Sequence, residues 1–92
     1  MSIDTDIEIE VIDQTGHCDV GHQVGDTFLI TNYKTPPGIC LSAFHVIWAS
    51  ARTLIFNGKH PWEDNEGETT VACPDPNNPV VFRIKRKGNR EK

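Results

Sequence analysis

Three cysteines, each beside a glycine or proline, carry the chemistry that this sequence offers. Cys18 lies in His17-Cys18-Asp19-Val20-Gly21-His22, Cys40 follows Pro36-Pro37-Gly38-Ile39, and Cys73 begins Cys73-Pro74-Asp75-Pro76. Glycine and proline turn the backbone sharply and present a sulfur, which metal ligands and reactive thiols require and a buried filler cysteine does not. Three thiolates and one imidazole form a tetrahedral donor set for zinc, and sulfur ligation also suits an iron centre. Cys18, His22, Cys40 and Cys73 are that set. Three residues separate Cys18 from His22, with Gly21 letting the chain fold back between them, whereas 21 separate Cys18 from Cys40 and 32 separate Cys40 from Cys73. No C-x-x-C pair is present, so the set exists only if the fold gathers distant loops.

A second chemistry needs a single reactive thiol. Cys18 has His17 beside it and His22 close by, either of which could stabilise a thiolate, with His22 as the base. Cys73 is the other candidate nucleophile, although the Asp75 carboxylate nearby would disfavour its anion. Trp62 on a loop could line a pocket or anchor a partner, or cap the main cluster. His45 and Arg52 lie together at a helix margin and could border a site, or be ordinary surface. His60, before Pro61 and Trp62, reads as a ring covering the edge of the core. The bland alternative for the thiols is burial, above all for Cys40.

With 92 residues the chain is one domain, spanning 1–92, with flexible ends expected at about 1–4 and 87–92. Its formal net charge of −4 argues against nucleic acid, since backbone-driven binding needs clustered cations. The basic stretch Arg83-Ile84-Lys85-Arg86-Lys87 reads as a solvated strand end. Met1-Ser2-Ile3-Asp4-Thr5-Asp6 is acidic where a signal peptide is basic, and no apolar run is long enough to span a bilayer. An odd cysteine count without an export signal argues against a disulfide framework and for reduced thiols in the cytoplasm.

The elements that must position these residues follow from periodicity. Ile7, Ile9 and Val11 alternate with Asp6, Glu8 and Glu10, and Val80, Phe82 and Ile84 alternate with Arg83 and Lys85. Each is a strand with one wet face, and the wet faces carry opposite charge. As antiparallel neighbours they would pair Glu8 or Glu10 with Arg83 or Lys85, the alternative being two unrelated solvated faces. Residues 26–31 and 69–72 read as shorter strands.

A helix is predicted over about residues 40–56, with Cys40, Leu41, Phe44, Ile47, Trp48, Ala51, Leu54 and Ile55 in one apolar sector. Val46, Ser50 and Thr53 lie opposite, and Asn57-Gly58 supplies a left-handed stop. Cys40 then sits at the first turn, where unpaired amides and the helix dipole favour a thiolate. The acidic loop Glu63-Asp64-Asn65-Glu66-Gly67-Glu68 does not match a calcium loop and reads as a solvated connection. The result is an α+β domain of order β-β-α-β-β, one antiparallel sheet packed on one helix, without internal repeats.

Gly16-x-Cys18-x-x-Gly21-His22-x-Val24-Gly25-Asp26-x-Phe28, Gly38-x-Cys40-x-x-Ala43, Pro61-Trp62, Cys73-Pro74-Asp75-Pro76 and Val81-Phe82-x-Ile84 together make a pattern over nearly the whole chain. In these motifs the chain resembles a family of small, uncharacterised bacterial and archaeal proteins of similar length. The resemblance implies no activity, substrate or cofactor. Proline often follows the second cysteine in that family, where this chain has Leu41, which changes the local turn and not the thiol.

The function expected from the sequence is a small cytoplasmic accessory domain binding zinc or iron through three cysteines and His22. The alternatives are a small thiol-dependent enzyme and a metal-free interaction module. Partners expected are a larger enzyme subunit or a second copy, with neither nucleic acid nor membrane.

Overall fold

Alternation in the two long strands builds the centre of the sheet. The computed structural model describes residues 5–18, 20–56, 58–65 and 67–89. Strand β1 (Thr5–Gln14) buries Ile7, Ile9 and Val11, strand β4 (Val80–Asn89) buries Val80, Phe82 and Ile84, and the two pair antiparallel. Their register sets Glu8 opposite Lys85 and Glu10 opposite Arg83, so of the two readings of the charge pattern the paired one holds. Arg83 Nη1 reaches Glu10 Oε1 at 3.4 Å, and Lys87 Nζ stands 4.0 Å from Glu8 Oε2. Exposed pairs of this kind contribute about 0.2–1 kcal/mol each, enough to favour this register over a slipped one.

Strand β2 (Thr27–Ile30) adds to the free edge of β1, and β3 (Glu68–Ala72) to the free edge of β4. The sheet order is therefore β2-β1-β4-β3, with every neighbour antiparallel. Between β2 and β3 the chain crosses from one sheet edge to the other through helix α1 (Leu41–Ile55), which packs against β1, β3 and β4. No helix among the described residues is long and apolar enough to cross a membrane.

The buried stripe of α1 is Ala43, Ile47, Ala51, Leu54 and Ile55. It is rotated from the predicted sector: Leu41 is 85 % exposed, and Phe44 and Trp48 are half-buried margins. Two alanines facing the sheet let the helix axis approach closely, and large side chains are displaced to the flank. Cys40 is the N-cap residue, with non-helical φ −59° and ψ 132°, so it lies outside the helix and not within its apolar face.

The helix C-terminus is closed from the sheet. Arg86 on β4 donates from Nε to Leu54 O (3.0 Å) and from Nη2 to Gly58 O (2.7 Å). Cationic donors at the last carbonyls suit the helix dipole. The basic stretch is thus not wholly a solvated strand end, since Arg86 is half-buried across the helix terminus. Asn57 of the predicted stop lies outside the described residues, as do 1–4 and 90–92, while β4 carries ordered pairing through Asn89 across part of the predicted flexible end.

Candidate functional site

Three loops approach one another where β1 ends, α1 begins and β3 ends. After Gln14, Thr15 N donates to Pro79 O at 3.0 Å, and His17 N donates to Asn78 Oδ1 at 2.9 Å. Gly16 makes this approach possible: its φ is +76°, and a Cβ there would collide with Asn78 Oδ1. The Cys18 loop is therefore tied directly to the loop that follows Cys73.

That second loop is shaped by Asp75. Its Oδ1 accepts from Asn77 N (3.0 Å) and Asn78 N (3.3 Å), and its Oδ2 accepts from Asn78 Nδ2 (3.3 Å). A carboxylate used in this way organises the turn and holds Asn78 for the neighbouring loop. At its base, Cys73 N donates to Val80 O at 2.9 Å, and Val80 N donates to Cys73 Sγ at 3.3 Å.

His22 anchors the third loop. It is 4 % exposed, with its ring edge-on to Phe28 (centroids 5.3 Å apart) and to Phe82 (6.0 Å). Its Nε2 accepts a 3.0 Å hydrogen bond from Cys40 N. An imidazole nitrogen that accepts is unprotonated, so the neutral ring carries its proton on Nδ1. Gln14 reinforces the corner: with its amide turned so that Nε2 donates to His22 O (2.9 Å), its Oε1 accepts from Cys18 N (3.3 Å).

The consequence is a cavity of about 250 Å³ whose wall includes Cys18, Cys40 and Cys73, together with Ser42, Asp75 and Asn78. All three thiols are free and half-buried. Among the described residues, no three Cys, His, Asp or Glu side chains stand close enough to hold a metal ion as they are placed. The three cysteines share a cavity wall and not a coordination sphere. His22 stands behind that wall, its Nε2 engaged by the Cys40 amide, so in this arrangement it braces a thiol-bearing loop.

The other predicted residues lie elsewhere. His45 is an exposed helix residue and does not line the cavity. Trp62 is 71 % exposed, so it does not cap the core, and its ring lies 5.1 Å from that of His60. His60 fills the core-edge role, at 7 % exposure. Asp75, paired with three N–H groups of its own loop, is a turn former and is poorly placed to act as a base. In the acidic loop, Glu63 Oε2 accepts from Thr69 Oγ1 at 2.7 Å and Glu68 Oε1 from Asn65 Nδ2 at 2.6 Å, which ties those carboxylates to the start of β3; Glu66 and Asp19 lie outside the described residues.

Sequence reasoning passed over Asn78 and Gln14. Asn78 carried a signal, since Asp75-Pro76-Asn77-Asn78 is turn-forming and an asparagine there has both donors and an acceptor to offer. Gln14 carried none, because its value depends on two loops meeting beside it. No protein-family model, curated protein or solved structure matches this chain.

Proposed function

We propose that this chain is a small accessory domain that binds one thiophilic metal ion, zinc or iron, through Cys18, Cys40 and Cys73. The observation that supports the reading is that three cysteines separated by 21 and 32 residues of chain line one open cavity. A cysteine redirects its sulfur by rotation about one bond among staggered rotamers, and the reading requires the half-buried thiols on this shared wall to turn inward. Three thiolates suit both zinc and iron. His22 is assigned a supporting role, because ligation through Nε2 would release the Cys40 N–H. The proposal extends to the bacterial and archaeal family that the motifs resemble, and to a reducing, cytoplasmic setting in which the domain serves a larger enzyme subunit or a second copy of itself.

The test is metal analysis of protein purified without chelator, combined with cobalt titration of the apoprotein. Stoichiometric metal in the wild type, sulfur-to-cobalt charge-transfer absorption, and loss of both in Cys73→Ser support the proposal. A folded wild type that holds no metal and gives no charge-transfer band ends it. The rival, thiol-dependent catalysis, has one observation in its favour: Cys73 Sγ accepts the backbone N–H of Val80. Alkylation of Cys73 well ahead of Cys18 and Cys40 in metal-free protein would favour that rival.

A further inference from the structure

A second cavity, of about 220 Å³, opens where the chain leaves β2 and is walled by Tyr33, Phe44 and Trp48 over Ile30, with Lys34 and Thr35 at its margin. Its geometry depends on an unusual turn. Thr31 and Lys34 form an isolated bridge, Lys34 N donates to Thr31 O at 3.2 Å, and both residues between them are left-handed, Asn32 at φ +54° and Tyr33 at φ +59°. A two-residue turn with both φ values positive favours Asn-Gly. Asn32 fits that preference, whereas a bulky tyrosine in the second position is a backbone outlier.

What the outlier achieves is placement of one ring. Tyr33 meets Trp48 edge-on at 5.5 Å and Phe56 at 6.3 Å, while Phe44 and Trp48 stack at 6.3 Å. Coverage of the core does not account for it, since Tyr33 keeps 48 % of its surface exposed. Backbone strain held beside an open cavity points to recognition. Aromatic walls on two sides favour a flat ring, which they can meet by stacking or edge contact. Lys34 adds a cation with no ion-pair partner among the described residues. We propose that the Tyr33–Phe44–Trp48 cavity binds a small aromatic carboxylate, its ring against the aromatic walls and its carboxylate at Lys34 and Thr35.

Nitrogen-15 NMR tests this, since the indole N–H groups of Trp48 and Trp62 give separate signals. The probes are 4-hydroxyphenylacetate and its neutral amide. Saturable shifts confined to residues 30–35, Phe44 and Trp48 are expected, with the acid binding about fivefold more tightly than the amide, as one exposed charge pair allows. Lys34→Met should erase that preference while the ring contacts remain. Tyr33→Gly, which gives the turn its favoured Asn-Gly pair and so keeps the fold, should weaken both probes. Acid and amide binding equally, shifts dispersed over the surface including Trp62, or binding undiminished in Tyr33→Gly would each overturn the proposal.

Discussion

The thiol cavity and the aromatic cavity meet the chain near the start of α1, the N-cap Cys40 and Ser42 for one, Phe44 and Trp48 for the other, and they are held open by different means. The thiol cavity is walled mainly by loops, and polar bonds hold those loops: Cys40 N to His22, His17 N to Asn78, Asn77 and Asn78 to Asp75. The aromatic cavity is walled mainly by side chains, two on a helix and one on a two-residue turn. A loop carries no periodic hydrogen bonding of its own, so each side-chain brace is a separate point of failure. A wall mounted on a helix keeps its backbone whatever its side chains become.

This contrast can be broken by mutation. The largest effect is expected of His22→Ala, which empties a buried site between Phe28 and Phe82 and leaves the Cys40 amide without its acceptor. A loss of about 3–5 kcal/mol in urea unfolding is predicted, and a loss under about 1 kcal/mol would show that the brace is dispensable. Gly16→Ala should follow at about 2–3 kcal/mol, from the collision with Asn78 and from its left-handed φ of +76°. Unchanged stability there would mean that the two loops separate without cost.

On the aromatic side the same treatment should be tolerated. Tyr33→Gly relieves an unfavourable turn residue and forfeits exposed ring contacts, so its unfolding free energy should fall within about 1 kcal/mol of wild type. A loss near that of His22→Ala would erase the distinction between the two regions. Smallest of all, Glu10→Gln removes a half-exposed partner of Arg83 and should cost about 0.5 kcal/mol, declining further as salt is added.

Much of the fold was legible in the chain because its signals are local. Alternation marked β1 and β4, the opposite charges on their wet faces were compatible with pairing without requiring it, and apolar spacing marked α1. The helix phase was legible only approximately. Leu41 is more hydrophobic than Ala43, yet Ala43 faces the sheet, because close approach of helix to sheet selects for small volume and not for hydrophobicity alone. Arg86 shows the same limit, since nothing in a run of basic residues marks the one that reaches a helix terminus 32 residues upstream.

For the candidate site, residue types and spacing determined which side chains can do chemistry: three thiols, each beside a turn-forming residue. They did not determine roles. Tertiary structure alone decided that His22 stands behind Cys40 with its acceptor nitrogen engaged, that Asp75 is spent on its own turn, and that Trp62 and His45 do not line the cavity. The physical reason is range. Helices and strands arise from interactions between near neighbours and leave a period in the sequence, whereas a cavity between loops arises from contacts such as that of His17 with Asn78, 61 positions further along the chain, which leave none.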